Sequence, residues 1–303
     1  MGATIAIVGA SGFIGRALAR HCTKAGHQVT GYGSKPAALS SGVLSSGVAL
    51  AAMDVTQGEV HFPAGTQAVF YLAQSPGYRD FPSRAEHLFA VNTQGAIKAA
   101  CAAREAGARL FCYASTGNVY LPSFEPLDEQ SPVRRDNGYA LSKVMAEEAL
   151  ALLAGPMRVV SARLFGVFGP GQEGMICQKI RDRICAGQPV LLDASPAGED
   201  DGLRVSLCLV DDAAACLLAL VELDSAGVTL PARLNIAGPE PISIKRMGSR
   251  IAQSLGLAAR FAPSGRERPG DLVADISRLA CLFPHDFTAF DDGIARTFGR
   301  AAA

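Results

Sequence analysis

Short runs of nearly uninterrupted apolar residues recur along the first half of the chain, and stretches with helical spacing separate them. Each run has the length of one strand, and such runs are typical of strands buried on both faces of a sheet. The predicted strands cover residues 4–8, 28–32, 48–53, 68–73, 109–114 and 159–164. Strands that alternate with helices predict an α/β fold with a parallel sheet, in which ligands bind beyond the carboxyl ends of the strands.

The pattern changes beyond about residue 165, where the predicted elements become shorter and less regular. The sequence there predicts a loop, a helix over 174–187, an exposed turn, a helix that opens at Val210, a short strand at 234–236 and a helix from about Ser243. From Arg266 onward it predicts a loop and a short amphipathic helix. No internal repeat or clean linker marks a boundary.

Composition excludes several classes of function. The 28 basic residues balance the 28 acidic ones, so no electrostatic field would gather nucleic acid or anionic lipid. No stretch reaches the roughly 18 consecutive apolar residues of a membrane span, and the first residues lack the basic segment of a signal peptide. None of the eight cysteines forms a Cys-x-x-Cys pair and the five histidines are scattered, so we expect reduced thiols, a cytoplasmic protein and no metal site.

A glycine triplet follows the first predicted strand. Gly9, Gly12 and Gly15 lie between that strand and a helical pattern that begins near Arg16. In this setting the first glycine permits a sharp turn, the second lets the backbone approach a pyrophosphate, and the third packs the helix against the strand. The helix N-terminus then offers free N–H groups to an anion. The sequence therefore predicts a dinucleotide-binding loop.

The end of the second predicted strand bears on the choice of dinucleotide. An acidic residue commonly stands there to hold the adenosine ribose hydroxyls of NAD. Here the residues are Gly33, Ser34 and Lys35, and a hydroxyl followed by an ammonium would tolerate a 2′-phosphate. The cofactor is therefore NAD or NADP, with a slight preference for NADP.

Tyr139 and Lys143 stand four residues apart in a strongly helical stretch. Residues at this spacing lie on the same face of a helix, so the lysine can sit beside the tyrosine ring. An adjacent ammonium favours the phenolate of a tyrosine, which otherwise titrates near pH 10. The pair is a candidate acid/base, although the spacing alone is also that of an ordinary exposed pair.

Taken together, these motifs and others in the same order resemble the extended short-chain dehydrogenases/reductases. The resemblance is to the nucleotide-sugar epimerase/dehydratase group, of which UDP-galactose 4-epimerase is a member. Its further motifs here are Asp54-Val55, Asn92, Ser115-Thr116, Arg163 to Gln172, Val210-Asp211-Asp212, Leu234 to Ser243 and Arg268-Pro-Gly-Asp271. It implies a Rossmann-type doubly wound parallel sheet over 1–165 and a smaller C-terminal α/β substrate-binding domain over 166–303. A segment at about 204–221 would return to the first domain.

The resemblance also implies roles for individual residues. Tyr139 would be the acid/base, Lys143 would bind the nicotinamide ribose and lower the pKa of Tyr139, and Thr116 would hold the reacting oxygen. The implied cofactor-binding residues are Gly9, Gly12, Phe13, Ile14, Gly15, Ser34, Lys35, Asp54, Val55, Leu72, Ala73, Asn92, Tyr139, Lys143 and Phe165. The implied substrate-binding residues are Gln74, Ser115, Gly166, Arg204 and Arg268. Members of the family commonly dimerise through the helices that hold Asn92 and Tyr139, so we expect a homodimer.

Departures from the family pattern leave alternatives open. Thr116 is followed by Gly117 and Asn118, without the acid pair of the 4,6-dehydratases, and Gly166 stands where an Asn commonly faces the nucleotide-sugar. The first hypothesis is a nucleotide-sugar epimerase or related enzyme that recycles its cofactor by transient hydride transfer. The second is an NADP-linked reductase of a sugar or other small carbonyl compound. The third is a non-catalytic cofactor-binding protein.

Overall fold

The computed structural model describes residues 2–34, 47–198 and 200–299, and these residues divide into two compact units. The first unit comprises the chain up to Tyr120, Pro132–Leu164 and Ala214–Leu234. The second comprises Leu121–Ser131, Phe165–Ala213 and the chain from Asn235 onward. The segment Leu121–Ser131 therefore belongs to the second unit, although the sequence placed it within 1–165. The Leu127 N–H donates to the Val273 carbonyl at 2.8 Å, which joins this segment to the second unit.

The strands are numbered in chain order. They are β1 Thr4–Val8, β2 Gln28–Gly33, β3 Val48–Ala52, β4 Ala68–Tyr71, β5 Leu110–Thr116, β6 Arg158–Leu164, β7 Val167–Phe168, β8 Val190–Ala194, β9 Arg204–Ser206, β10 Cys208–Leu209, β11 Arg233–Ile236, β12 Pro241–Ser243 and β13 Phe261–Glu267. The α-helices are α1 Phe13–Lys24, α2 Ala85–Phe89, α3 Gly95–Glu105, α4 Gly138–Leu152, α5 Ile176–Cys185, α6 Val210–Ser225, α7 Ile244–Leu255, α8 Ser277–Leu282 and α9 Phe290–Phe298.

Seven of the strands in the described part of the chain form one sheet, in the order β11-β6-β5-β4-β1-β2-β3. The pairings are parallel, for example Thr4 with Gln28, Ile5 with Ala68, and Leu110 with Arg158. The chain builds outward from β1 on one side through β2 and β3, and on the other side through β4, β5 and β6. The order therefore reverses between β1 and β4, which is where a doubly wound sheet binds its ligand. The expected Rossmann-type fold is confirmed.

The sequence between β4 and β5 predicts one long helix over 83–107, but the structure interrupts it. Between α2 and α3, residues Ala90–Gln94 form a π-helical turn. Two buried tyrosines of the sheet contact this turn: the Tyr71 hydroxyl donates to the Val91 carbonyl at 2.6 Å, and the Tyr113 hydroxyl donates to the Asn92 carbonyl at 2.8 Å. A π-turn leaves carbonyl groups outside the regular helical pattern, and it is often found at functional sites. Tertiary hydrogen bonds thus stabilise a break that apolar spacing does not reveal.

The second unit has its own apolar core. Short strand pairs, β7 with β10, β9 with β12, and β8 with β13, pack with helices α5, α7 and α9. The buried residues include Phe168, Ile180, Leu192, Met247 and Phe290. The loop predicted from Arg266 is wrong at its start, because Phe261–Glu267 pairs with β8 as an edge strand. Among the helices that the structure describes, none is both long and apolar enough to cross a membrane.

Candidate active site

The glycine loop joins β1 to α1 and is shaped by close backbone contacts. Gly9 has a φ of +89°, and a Cβ there would lie 2.8 Å from the Ala73 nitrogen on the adjoining strand end. A Cβ on Gly15 would overlap the Gly9 carbonyl oxygen and lie 2.8 Å from the Ala10 Cα. Gly12 precedes α1 as its cap residue, and no side chain caps this end of the helix. The first turn of α1 therefore offers backbone N–H groups in the arrangement that holds a pyrophosphate, so the loop fits a dinucleotide.

Gly15→Ala is expected to lower the free energy of unfolding by about 2 kcal/mol and to weaken dinucleotide binding, because the added methyl group pushes α1 away from the Gly9 turn. Gly155→Ala is the matched control, since a Cβ at Gly155 meets nothing within 4 Å. Thermal unfolding and titration with NAD and NADP measure both effects. Equal behaviour of the two variants would contradict the packing role of Gly15.

The predicted adenosine side of the site is described only in part. Ser34 lies exposed in a bend just after β2, whereas Lys35 falls outside the described residues. Asp54 accepts hydrogen bonds from the Thr56 N–H at 2.9 Å and the Thr56 hydroxyl at 2.7 Å. These bonds from Thr56 lower the pKa of the Asp54 carboxyl, so it is ionised at neutral pH. The neighbouring Val55 is buried. The preference for NADP remains a prediction.

Ser115 and Thr116 end β5 and project to opposite faces, as successive strand residues do. The Thr116 side chain hydrogen-bonds the Tyr139 hydroxyl, and its oxygen also accepts from the Asn118 N–H at 3.2 Å. The Ser115 hydroxyl instead donates to the carboxylate of Glu147, inside the first unit. Ser115 is 4% exposed. The Ser115 hydroxyl is thus engaged by a buried partner, and the assignment of Ser115 to substrate binding stays a prediction.

The hydroxyl of Tyr139 lies among polar groups. It donates to the Gln74 side-chain oxygen at 3.0 Å and is hydrogen-bonded by Thr116. Burial raises the pKa of Tyr139 above its ordinary value, and the Thr116 hydrogen bond opposes this only in part. This direction is the opposite of the lowered pKa that the resemblance implied. In this structure, desolvation outweighs the groups that favour the phenolate, so Tyr139 carries its proton at neutral pH.

Lys143 follows one helical turn after Tyr139 and is 2% exposed. Its amine donates to the Ala114 carbonyl at 2.7 Å and lies 4.8 Å from the centre of the Tyr113 ring. Burial lowers the pKa of Lys143 to about 7, and the charge of Glu147 acts in the opposite direction. The buried amine therefore gives up its proton far more readily than an exposed lysine does.

A segment that sequence reasoning missed packs against the start of α4. The Tyr78 ring lies 4.8 Å from the Tyr139 ring, centre to centre. A Cβ on Gly138 would overlap the ring of Phe81, so this glycine lets the segment approach the helix closely. Gln74 and Tyr78, from the loop that follows β4, thus contact Tyr139, and Phe81 contacts the residue before it. No motif signalled the two aromatic residues, because they contact α4 only through the tertiary fold.

Asn92 joins three elements instead of facing an open site. It is fully buried, its side-chain oxygen accepts from the Ser75 N–H at 3.1 Å, and its amide donates to the Ser142 hydroxyl at 3.0 Å. The Ser142 hydroxyl in turn donates to the Tyr139 carbonyl at 2.7 Å. Asn92 thus fixes the turn of α4 that carries Tyr139, which differs from the direct cofactor contact that the resemblance implied.

The predicted substrate residues of the second unit are largely engaged within that unit. Arg268 is 3% exposed, pairs with Asp271 at 2.9 Å and donates to the Asp193 carbonyl at 3.2 Å. The Arg204 N–H donates to the same Asp271 carboxylate at 2.9 Å. The pair with Asp271 is buried, so Arg268 is not a surface salt-bridge partner. A substrate phosphate would have to compete with it.

Gly166 lies where the backbone leaves no room for a larger residue. A Cβ there would approach the Leu207 side chain to 2.5 Å and the Ser206 carbonyl oxygen to 2.9 Å. An Asn could not stand at this position without moving Leu207. Phe165, next to it, is 3% exposed and its N–H donates to the Ile236 carbonyl at 3.0 Å.

Comparison with protein families matches residues 5–237 to the NAD dependent epimerase/dehydratase family. The chain belongs to this family. It is therefore an enzyme of the NAD(P)-dependent epimerase/dehydratase type. The predictions of the family and of a nicotinamide cofactor are confirmed at this level.

Two curated relatives differ in the reactions that their names state. The uncharacterized UDP-glucose epimerase YtcB of Bacillus subtilis (strain 168) is 25% identical over 76% of this chain and 72% of its own length. The 2-alkyl-3-oxoalkanoate reductase of Stenotrophomonas maltophilia (strain K279a) is 25% identical over 83% of this chain and 76% of its own length.

Solved structures share the fold across nearly the whole chain. The UDP-N-acetylglucosamine 4-epimerase of Methanobrevibacter ruminantium M1, in complex with UDP-N-acetylmuramic acid, has a TM-score of 0.82 at 21% identity, with 98% of both chains covered. The UDP-glucose 4-epimerase of Thermus thermophilus, in complex with NAD, has a TM-score of 0.77 at 22% identity, with 97% of both chains covered. At these identities the likeness establishes the fold alone.

Proposed function

We propose that this enzyme is an NAD(P)-dependent epimerase that acts on a nucleotide-sugar by transient hydride transfer, with Tyr139 as the acid/base. The observation that carries the proposal is the convergence of Thr116 and Gln74 on the Tyr139 hydroxyl, with Lys143 one turn further along α4. A sugar hydroxyl that took the place of the Gln74 oxygen would lie within proton-transfer distance of Tyr139.

The chemistry follows from these groups. The nicotinamide of a dinucleotide whose pyrophosphate is held at the glycine loop would supply a hydride acceptor and donor, and in its oxidised form a positive charge that favours the phenolate. Tyr139 would take the proton of the sugar hydroxyl as the hydride leaves the same carbon, which leaves a ketone. Thr116 would hydrogen-bond the reacting oxygen in both states. After the keto-sugar presents its other face, Tyr139 would return the proton as the hydride returns, and the product is the epimer.

The relatives support a nucleotide-sugar substrate. The curated relative from Bacillus subtilis is named a UDP-glucose epimerase, and several structures with the same fold hold UDP-sugars or their acids. In the second unit, Gly166 stands where the family commonly has an Asn that faces the sugar. The family pattern therefore says least about which sugar this enzyme binds. We therefore assign the reaction type and the nucleotide-sugar class, and leave the sugar to experiment.

A second candidate is the NADP-linked reductase of a sugar or other small carbonyl compound. The observation that favours it is the end of β2, where Gly33, Ser34 and Lys35 supply no carboxylate for the ribose hydroxyls of NAD. The relative named as a 2-alkyl-3-oxoalkanoate reductase supports the same hypothesis. A non-catalytic protein is disfavoured because Thr116, Tyr139 and Lys143 are all present.

The deciding experiment identifies the nucleotide that the denatured protein releases and then supplies substrates. Stoichiometric NAD, together with conversion of UDP-glucose, UDP-N-acetylglucosamine or UDP-glucuronic acid to its 4-epimer, would support the epimerase. An empty site that takes up NADPH in preference to NADH, and oxidises it with a ketone substrate, would establish the reductase. If the protein binds cofactor but converts neither class, both proposed reactions are wrong.

We further propose a cytoplasmic homodimer. The cysteines are free thiols, which suits a reducing compartment. Met145 and Leu152 of α4 are 44% and 87% exposed, and apolar side chains so placed are suited to a partner surface. Light scattering after size-exclusion chromatography tests the dimer, and a monomer at micromolar concentration would contradict it.

A further inference from the structure

A buried charge cluster lies behind the proposed acid/base pair, and the reaction described above does not use it. Glu147 follows Lys143 by one helical turn, so Tyr139, Lys143 and Glu147 share one face of α4. Glu147 is 2% exposed. A carboxylate so deeply buried in a protein needs partners that compensate for lost hydration.

The partners of Glu147 come from the sheet. The Arg163 guanidinium, itself 2% exposed, donates to both carboxylate oxygens at 3.0 and 2.6 Å. Arg233 approaches one of these oxygens to 3.4 Å, and the Ser115 hydroxyl donates to the other. The Arg163 guanidinium also lies 4.7 Å from the centre of the Tyr120 ring. The carboxylate is therefore held rigidly at the end of β5, beside the strand residues that position Thr116.

The groups that face the Lys143 amine complete the cluster. On β5 these are the Ala114 carbonyl and the Tyr113 ring, and on α4 the charge of Glu147 acts on the amine. Of these groups, Glu147 carries the negative charge that favours the ammonium form of Lys143, whereas burial favours the neutral amine. The positive charge of Arg163, paired with Glu147, opposes that influence.

We propose that Glu147 is the positioning residue that keeps the Lys143 ammonium charged for its work beside Tyr139, and that Arg163 sets the strength of this effect. As a catalytic device the inference rests on the proposed function, because it assumes that charged Lys143 favours the Tyr139 phenolate. The same carboxylate holds Ser115, so the charge of Lys143 and the position of Thr116 depend on one buried group.

The proposal predicts opposite responses to two neutral substitutions. In Glu147→Gln, Lys143 loses its favourable charge and should become protonated about one pH unit lower than in the wild type. In Arg163→Gln, the positive charge that offsets the Glu147 carboxylate is removed, so Lys143 should become protonated at a higher pH than in the wild type. Glu148→Gln is the matched control, because Glu148 is the next residue of α4, is 53% exposed and pairs with Arg135 at the surface. It should leave Lys143 unchanged.

The readout is the pH titration of Lys143 by NMR in protein labelled with 13C at the lysine side chains, with and without bound NAD. The sequence has only six lysines, and the missing signal of Lys143→Met assigns the resonance. If Glu147→Gln does not fold, Glu147→Asp replaces it; this variant withdraws the carboxylate by one methylene group and should give a smaller downward change.

Shifts of Lys143 in opposite directions, with none in Glu148→Gln, establish the role of the cluster. Shifts in the same direction, or no shift in folded variants, overturn it, because a purely structural network would disturb both variants alike. The titration needs no substrate. If the titration shifts in opposite directions but the protein shows no turnover, the inference stands and the proposed function fails. If the protein turns over substrate but the titration of Lys143 is unchanged, the proposed function stands and the inference fails.

Discussion

Tyr139→Phe is expected to lower kcat/KM by about 10²- to 10⁴-fold while dinucleotide binding and the melting temperature stay close to those of the wild type. The substitution removes one oxygen, which donates to Gln74 and is hydrogen-bonded by Thr116. It leaves the ring contact with Tyr78 and the packing of α4 in place. The loss should therefore appear in the chemical step, measured under saturating cofactor with the substrate that the deciding experiment identifies.

Tyr78→Phe is the matched control, since it removes the same oxygen from the ring next to Tyr139. We expect it to change kcat/KM far less than Tyr139→Phe does. If Tyr139→Phe keeps activity within a few-fold of the wild type, another group moves the proton. If the two variants lose activity equally, the aromatic segment at 74–81, and not the Tyr139 hydroxyl alone, carries the catalytic contribution.

Much of the fold could be predicted because its signals are local. The apolar runs of β1, β4 and β5 are too short for helices and too apolar for exposed strands, so their burial in a parallel sheet follows from composition. The glycine loop is predicted by its position between a strand and a helix. Tyr139 and Lys143 are brought together by the helical repeat alone, and Thr116 could be placed near them because strand ends meet at one edge of a parallel sheet.

The remaining features depend on contacts between residues far apart in sequence. Ser115 and Thr116 are adjacent and similar, and only the pleat of β5 decides that one meets Glu147 and the other Tyr139. Glu147 itself looks like an ordinary helical carboxylate until Arg163 is seen beside it. The expected lowering of the pKa of Tyr139 was drawn from Lys143 alone, whereas burial raises this pKa and the charge of Tyr78 acts in the same direction.

Lys143→Met is expected to stabilise the protein near pH 6 while it impairs catalysis. Lys143 titrates at about 7 in the folded protein against an ordinary value of 10.5, so between these pH values the unfolded chain binds a proton that the folded chain does not. The free energy of unfolding of the wild type therefore rises with pH through this window, and the penalty is complete below about pH 7. At about 1.4 kcal/mol for each unit of pKa difference, the penalty is on the order of 5 kcal/mol.

Methionine carries no such penalty, but it leaves the Ala114 carbonyl without the amine that now donates to it at 2.7 Å. That loss costs about 1–3 kcal/mol, so the variant should gain about 2 kcal/mol or more in its free energy of unfolding at pH 6. This gain should shrink towards pH 10 and then become a loss.

Denaturant unfolding at pH 6, 8 and 10 measures this dependence, and Lys98→Met, at an exposed position of α3, is the control. A pH-independent difference would mean that Lys143 is not desolvated as the structure indicates. Together with an activity loss of about 10²-fold or more, a stabilised variant would show that this fold gives up stability to hold a buried ammonium beside Tyr139.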